Sequence, residues 1–227
     1  MTNFPFSIIY EDNHLIIVNK QSGVLVQGDE TGDMPLSEMV KEFLKQKYDK
    51  QGNVFCGVIH RLDRPVSGLV ILAKTSKALE RMNLQFKNRE IHKTYWAISR
   101  QRPPEQKGHL KHWLWKDKEK NRVTAYQKEV KDSQLAELDY EFLYEKNGYC
   151  LIEVNPITGR PHQIRVQLKQ MGCIIVGDMK YGYLQPNPDA SICLHSKSVK
   201  FIHPIQKTEL FFEADLPNEK IWNLFSE

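Results

Sequence analysis

The sequence predicts an α+β fold in which a central, mainly antiparallel mixed sheet carries flanking helices. Strand-like runs follow one another and are joined by short turn signals such as Asn147-Gly148, as in antiparallel hairpins. Other stretches repeat apolar residues with the helical period instead. With 227 residues the chain is long enough to bury a core, and we predict a single domain over residues 1–227.

The N-terminal elements are strands interrupted by one helix. In chain order we predict a hairpin, a short strand, a helix and two more strands, at residues 7–20, 23–26, 35–48, 54–59 and 68–73. The helix follows from the spacing of Leu36, Met39, Val40, Phe43 and Leu44. The last strand (GLVILA) is wholly apolar, which suits burial on both of its faces.

The remaining elements begin with a helix and end with another. We predict a helix, a strand, a projecting hairpin, two antiparallel strands and a last helix, at residues 75–88, 93–98, 109–126, 135–144, 149–154 and 161–171. Pro161 suits the first turn of the last helix, and Gly172 follows its end.

The composition indicates a cytoplasmic protein. No apolar run approaches the length of a membrane span, and the first residues lack the charged start and apolar core of a signal peptide. The cysteines are far apart and form no C-x-x-C pair. We therefore expect reduced core residues, and neither disulfides nor a zinc site, at Cys56, Cys150, Cys173 and Cys193.

The net charge of +4 is unevenly distributed along the chain. Residues 60–131 hold 18 Lys and Arg against 7 Asp and Glu, a net of +11, whereas residues 1–59 and 132–227 have nets of −3 and −4. A positive middle between acidic ends indicates a basic face for a polyanion, most commonly a nucleic acid. The alternative is a solvated surface whose charges balance in the folded protein.

Two polar stretches lie between the predicted apolar strands and helices. In the first, Asp63 lies between Arg61 and Arg64 in a turn between two strands, and these cations are expected to keep it ionised. The alternative there is a plain polar turn. In the second, Arg160, His162 and Gln163 cluster where the last helix begins, a position that attracts anions.

The motifs of the chain resemble those of the RluA family of pseudouridine synthases. In chain order they are HRLD-x-x-x-SG at 60–68, Lys93-x-Tyr95-x-Ala97, Thr158-Gly159-Arg160-x-His162-Gln163-Ile164-Arg165, Gly177-Asp178 with Tyr181-Gly182, and Leu194-His195-Ser196 through His203-Pro204. Their order and spacing are those of the family, and the similarity extends from about Ile8 to Phe212.

The resemblance implies an RNA uridine isomerase that uses no cofactor and no metal, with an active-site cleft across the sheet. Asp63 would be the catalytic carboxylate, which attacks a flipped-out uridine at the ribose or at the base. Arg165 would pair with that aspartate, and Tyr95 would stack on the target base and help to move the C5 proton. Leu194 would form an apolar wall of the base pocket.

The partner implied by the resemblance is RNA, with no obligate protein partner. The target base must be flipped out of the stacked RNA, which costs a few kcal/mol. Stacking of the flipped base on an aromatic ring offsets roughly 1–3 kcal/mol of that cost. The sequence begins with the catalytic strands, so we expect no N-terminal S4-type domain and a compact stem-loop of tRNA or ribosomal RNA as substrate. Further residues expected to contact RNA are His60, Arg61, Arg64, Lys93, Arg160, His162 and Gln163.

Two functions of other classes remain as alternatives. An RNA-binding module without catalysis could use the same basic surface, but binding alone does not require Asp63, Tyr95 and Arg165 together. A glycosidase also breaks glycosidic bonds with carboxylates, but it usually needs a second, acidic carboxylate. The motifs here place arginines and a tyrosine in its stead.

Overall fold

The computed structural model describes residues 4–226, and the chain divides into two compact units. The first unit contains the residues up to Ile91 together with Ser198–Asp215, and the second contains His92–Lys197 and the residues from Leu216 onwards. The prediction of a single domain stays a prediction. Among the described residues, no helix is both long and apolar enough to cross a bilayer.

The first unit combines antiparallel strands with two helices. Its elements are β1 (Phe6–Glu11), β2 (Leu15–Lys20), α1 (Leu36–Tyr48), β3 (Gly57–Val58), β4 (Ser67–Ala73), α2 (Ser76–Lys87) and β11 (Glu209–Glu213). It also contains the part of β10 (Leu194–Ile202) that begins at Ser198. β2 pairs with both β1 and β4, and β3 also pairs with β4. All seven residues of β4 are buried, as its apolar sequence predicts.

The β1–β2 turn and the start of α2 are fixed by side chains that cap backbone N–H groups. Asp12 Oδ1 accepts hydrogen bonds from the N–H groups of His14 and Leu15, at 2.8 and 2.7 Å. At the start of α2, the Thr75 hydroxyl accepts the N–H of Ala78 at 3.2 Å. Both features confirm the hairpin and the helix predicted here.

Two strand predictions in the first unit are wrong. Residues Gly23–Val26 form no strand, because their carbonyls have other partners: those of Leu25 and Val26 accept the first N–H groups of α1. The strand predicted over 54–59 shortens to Gly57–Val58. Helix α1 itself lies where the apolar spacing places it.

The second unit is built on five strands paired in the order β5–β9–β8–β6–β7, and every pair in this series is antiparallel. The elements are β5 (His92–Ser99), β6 (Lys107–Asp117), β7 (Arg122–Tyr126), β8 (Gln134–Lys146), β9 (Tyr149–Pro156), α3 (Gln163–Gln170) and the start of β10. The predicted hairpins over 109–126 and 135–154 are therefore confirmed.

Helix α3 begins at Gln163, two residues after the predicted start at Pro161. The residue between them, His162, has a φ of 51° and is thus left-handed, a conformation that cannot continue a helix. The helix is short and almost entirely buried, so its polar residues must find partners inside the protein.

The four cysteines are free and buried, as predicted. Burial raises the pKa of Cys56 and of Cys193 to about 12, so these thiols stay protonated and unreactive at neutral pH. They act as small apolar core residues.

Candidate active site

Asp63 lies in the irregular segment of the first unit that joins β3 to β4. Its carbonyl accepts the N–H of Val66 at 3.0 Å, which closes a turn, and its side chain is half-buried. Leu62 and Val66 are buried on either side and anchor the turn to the core. The apolar neighbours thus fix the backbone while the carboxylate stays accessible.

Lys20 is a buried cation next to this turn. It is the last residue of β2 and faces Gly68 of β4 in the strand register. Its amine donates hydrogen bonds to the carbonyls of Gln21 and Val24, both at 2.9 Å, and to that of Arg64 at 3.4 Å. The last of these bonds attaches the amine to the residue that follows Asp63.

The charge of Lys20 depends on its burial and on its neighbours. Burial lowers the pKa of the Lys20 amine to about 7; the Asp63 carboxylate opposes this decrease, and Arg64 adds to it. Lys20 is not among the site residues predicted from the sequence. The only signal was a lysine at the end of an apolar strand, and that signal does not show which groups the amine contacts.

The stability of the protein is therefore expected to depend on the protonation of Lys20. Between about pH 7 and 10 the Lys20 amine is protonated in the unfolded chain but largely neutral in the folded protein. The unfolded state then binds more protons, so the free energy of unfolding increases with pH over this range. Urea unfolding should show wild type gaining up to about 1.4 kcal/mol per pH unit over Lys20→Met in this window. The control is Lys77→Met, which replaces an exposed lysine. If the difference in unfolding free energy between wild type and Lys20→Met is as independent of pH as that for Lys77→Met, the prediction is wrong.

The three polar neighbours of Asp63 have distinct surroundings. His60 accepts the N–H of Ile71 through Nε2 at 3.0 Å, and its ring stacks on Phe86 with centroids 5.1 Å apart. Arg64 donates from Nε to the Gly23 carbonyl at 3.0 Å and pairs with exposed Asp33 at 2.8 Å. Arg61 is exposed. The contacts of His60 secure the segment that carries Asp63, and those of Arg64 attach it to the 23–33 loop.

Tyr95 and Lys93 lie on one side of β5 in the second unit, because residues two apart in a strand point the same way. Tyr95 is buried, and it lies opposite Val154 of β9 in the antiparallel strand register. Burial lowers the pKa of Lys93, whose amine is 3.9 Å from where a Cβ on Gly159 would be. Lys93 therefore lies beside the loop that precedes α3.

The loop before α3 is held by its own polar side chains. The Thr158 hydroxyl donates to Gln163 Oε1 at 2.8 Å and accepts the N–H of Glu137 at 3.0 Å. Gln163 Nε2 donates to the Glu137 carbonyl at 3.0 Å, and Arg160 Nε donates to that of Leu135 at 3.1 Å. Two of the residues expected to contact RNA, Arg160 and Gln163, thus also attach this loop to β8.

Arg165 forms a buried bidentate ion pair with Asp178. Its Nε donates to Asp178 Oδ2 at 2.7 Å and its Nη2 to Oδ1 at 2.8 Å, and both side chains are buried. The Arg165 guanidinium also lies 5.0 Å from the centre of the Tyr181 ring. Asp178 and Tyr181 belong to one of the family motifs in the sequence, but no role is predicted for them from it.

His162 and Leu194 complete the second unit's set of expected residues. His162 Nδ1 is 2.8 Å from the Tyr181 hydroxyl, which also accepts the N–H of Val123 at 3.0 Å. Leu194 begins β10 and is buried. The structure thus groups Asp63 with His60, Arg61 and Arg64 in the first unit, and the other expected residues in the second.

Residues 14–170 match the family model described as RNA pseudouridylate synthase. Relatives have similar names: a ribosomal large subunit pseudouridine synthase C from Rickettsia prowazekii is 32% identical over 92% of this chain and 68% of its own length. An uncharacterized RNA pseudouridine synthase from Chlorobaculum parvum is 30% identical over 96% of this chain and 72% of its own.

Solved structures with a similar fold include human RNA pseudouridylate synthase domain containing 4. It has a TM-score of 0.76 and 23% identity, and the alignment covers 93% of this chain and 88% of that one. Human RNA pseudouridylate synthase domain containing 1 has a TM-score of 0.71 and 21% identity, over 93% and 84% of the two chains. These likenesses confirm the predicted α+β fold class.

Proposed function

The chain belongs to the RNA pseudouridylate synthase family, and from that premise we propose that it isomerises uridine in ribosomal RNA in the cytoplasm. It is an RNA pseudouridine synthase, an isomerase, as the resemblance to the RluA family implies. The carrying observation is the family match over residues 14–170, which includes Asp63, Tyr95 and Arg165. The ribosomal target is supported by the name of the Rickettsia prowazekii relative, and the cytoplasm by the buried, free cysteines.

The reaction itself limits what the protein must supply. The bond between ribose C1′ and N1 of uracil breaks and a bond between C1′ and C5 forms, while C5 loses one proton and N1 gains one. The product is an isomer of the substrate, so no atoms or electrons are gained or lost overall, although the C5 proton is exchanged with solvent. The reaction therefore needs a nucleophile, a means of moving a proton and a site that holds uracil while it turns.

We assign the nucleophile to Asp63, and the stacking and proton movement to Tyr95. A carboxylate attacks in its ionised form. The Asp63 carboxylate also acts on the buried Lys20 amine, whose protonated form it favours. A phenol ring at Tyr95 offers a flat apolar surface to the base and a hydroxyl for the C5 proton.

Transfer RNA is the other substrate predicted from the sequence, and one experiment separates it from ribosomal RNA. Pseudouridine is to be mapped in total tRNA and ribosomal RNA, with a chemical tag specific for it, from cells with and without this gene. We expect the loss of one or more ribosomal sites, which wild type restores and Asp63→Asn does not. Loss in tRNA alone would correct the substrate. No loss in either RNA, together with binding of RNA by the pure protein, would favour the non-catalytic module.

A further inference from the structure

We propose that Asp178 is a positioning residue for the isomerisation, which sets the orientation of the Arg165 guanidinium. This inference rests on the proposed function, because it concerns a reaction in which Arg165 takes part. Asp178 itself would touch neither the uridine nor the reacting atoms. It would act through Arg165 alone.

The first support is the geometry of the pair. Asp178 binds Nε and Nη2 of Arg165, so it holds one edge of the guanidinium in a side-on, bidentate arrangement. A guanidinium carries five N–H groups, and those on Nη1 together with the second on Nη2 point away from this edge. Fixing one edge therefore fixes the direction in which the other edge can bind an acceptor.

The second support is the rigidity of Asp178. Its N–H donates to the Ile175 carbonyl at 3.1 Å, and its own carbonyl accepts the N–H groups of Tyr181 and Tyr183 at 3.1 and 3.0 Å. Gly177 before it has a φ of 84°, and a Cβ there would be 2.6 Å from the Ser191 carbonyl. The backbone thus places this carboxylate without reliance on a flexible side chain.

The third support is the second contact with Arg165. The Arg165 Cζ lies over the Tyr181 ring, 5.0 Å from its centre, and the Tyr181 hydroxyl is held by Val123 and His162 at 3.0 and 2.8 Å. The guanidinium is thus held at one edge by Asp178 and packs over the ring of Tyr181. A buried ion pair adds little net stability compared with apolar packing, so this double restraint is better explained by a need for orientation.

The pair also changes what Arg165 can contribute. Asp178 cancels the charge of Arg165, so the two together are neutral. Arg165 then supplies directed N–H groups rather than a net positive charge. Removing the Asp178 charge should therefore harm the reaction through misplacement of these groups, even though it makes the surroundings more positive.

The test compares Asp178→Asn with wild type in two independent measurements. The first is ¹⁵N NMR of the arginine side chains of the free protein. We expect a resolved, slowly exchanging Arg165 Nε–H in wild type and its loss in Asp178→Asn. An Arg165 signal that is unchanged in the variant would overturn the proposal without any reference to activity.

The second measurement is tritium release from large-subunit ribosomal RNA transcribed in vitro with uridine labelled at C5. We expect Asp178→Asn to lower the single-turnover rate at least 50-fold and to change the Kd for this RNA less than threefold. Asp178→Glu, which keeps the charge, should recover part of the rate. The exposed Asp132→Asn is the control and should match wild type.

The outcomes distinguish this inference from the proposed function. No release by wild type from any RNA tested counts against the proposed function, and the NMR result then still decides whether Asp178 orients Arg165. Release by wild type and equal release by folded Asp178→Asn overturns the inference alone. If Asp178→Asn does not fold, Asp178→Ser takes its place in both measurements, and a rate and an Arg165 signal equal to those of wild type would have the same meaning.

Discussion

Asp63→Asn is expected to lower the rate of pseudouridine formation by more than about a thousand-fold, because an amide cannot replace a carboxylate nucleophile. The side chain keeps its size, and RNA binding is spread over many contacts, so the Kd for RNA should change only a few-fold. Tritium release and RNA binding are to be measured on the same RNA. The matched control is Asp33→Asn, since Asp33 is an exposed aspartate that pairs with Arg64, the residue after Asp63.

The same substitution should alter Lys20. Asp63 favours the protonated amine, so its neutral replacement should lower the pKa of Lys20 below its value of about 7. Turnover by Asp63→Asn at a rate close to wild type would show that Asp63 is not the nucleophile. Loss of turnover together with loss of RNA binding would instead indicate a damaged fold.

Much of the fold could be predicted because local signals and tertiary structure agree. The Asn147-Gly148 turn and the strand-like runs on either side of it specify the β8–β9 hairpin, and the apolar run over residues 68–73 specifies a buried strand. The strand predicted at Gly23–Val26 failed because its carbonyls cap α1 and bind Lys20. Those partners come from other parts of the chain, which periodicity within the segment cannot show.

The site was predicted less completely, for a similar reason. The motifs drew attention to Asp63 and Arg165, but the buried partners of these residues depend on three-dimensional contacts. Lys20 is 43 residues from Asp63 in sequence, and Asp178 is 13 from Arg165. A lysine in an apolar strand or an aspartate after a glycine has many possible partners, and only the fold selects one.

Arg165→Met is expected to lower the free energy of unfolding by about 3–5 kcal/mol, because it leaves the Asp178 carboxylate buried without its cation. Asp178→Leu should have a comparable effect through Arg165. The double variant Arg165→Met/Asp178→Leu should be more stable than either single variant, since buried ion pairs can be replaced by apolar side chains at little cost. Urea unfolding of the four proteins gives the coupling energy directly.

A pair at the surface provides the control for this cycle. Lys107 and Glu141 are 2.9 Å apart at the surface, where Lys107 is exposed and Glu141 is partly exposed, so Lys107→Met, Glu141→Leu and their combination should each cost less than about 1 kcal/mol. Additive effects of Arg165→Met and Asp178→Leu would contradict the assignment of the buried pair. If the coupling energy is large and the double variant is stable, apolar packing can replace the contribution of the ion pair to stability. If that double variant is also inactive, the pair contributes to the reaction. Selection would then have kept the two charges for the placement of Arg165, at the expense of a more stable apolar core.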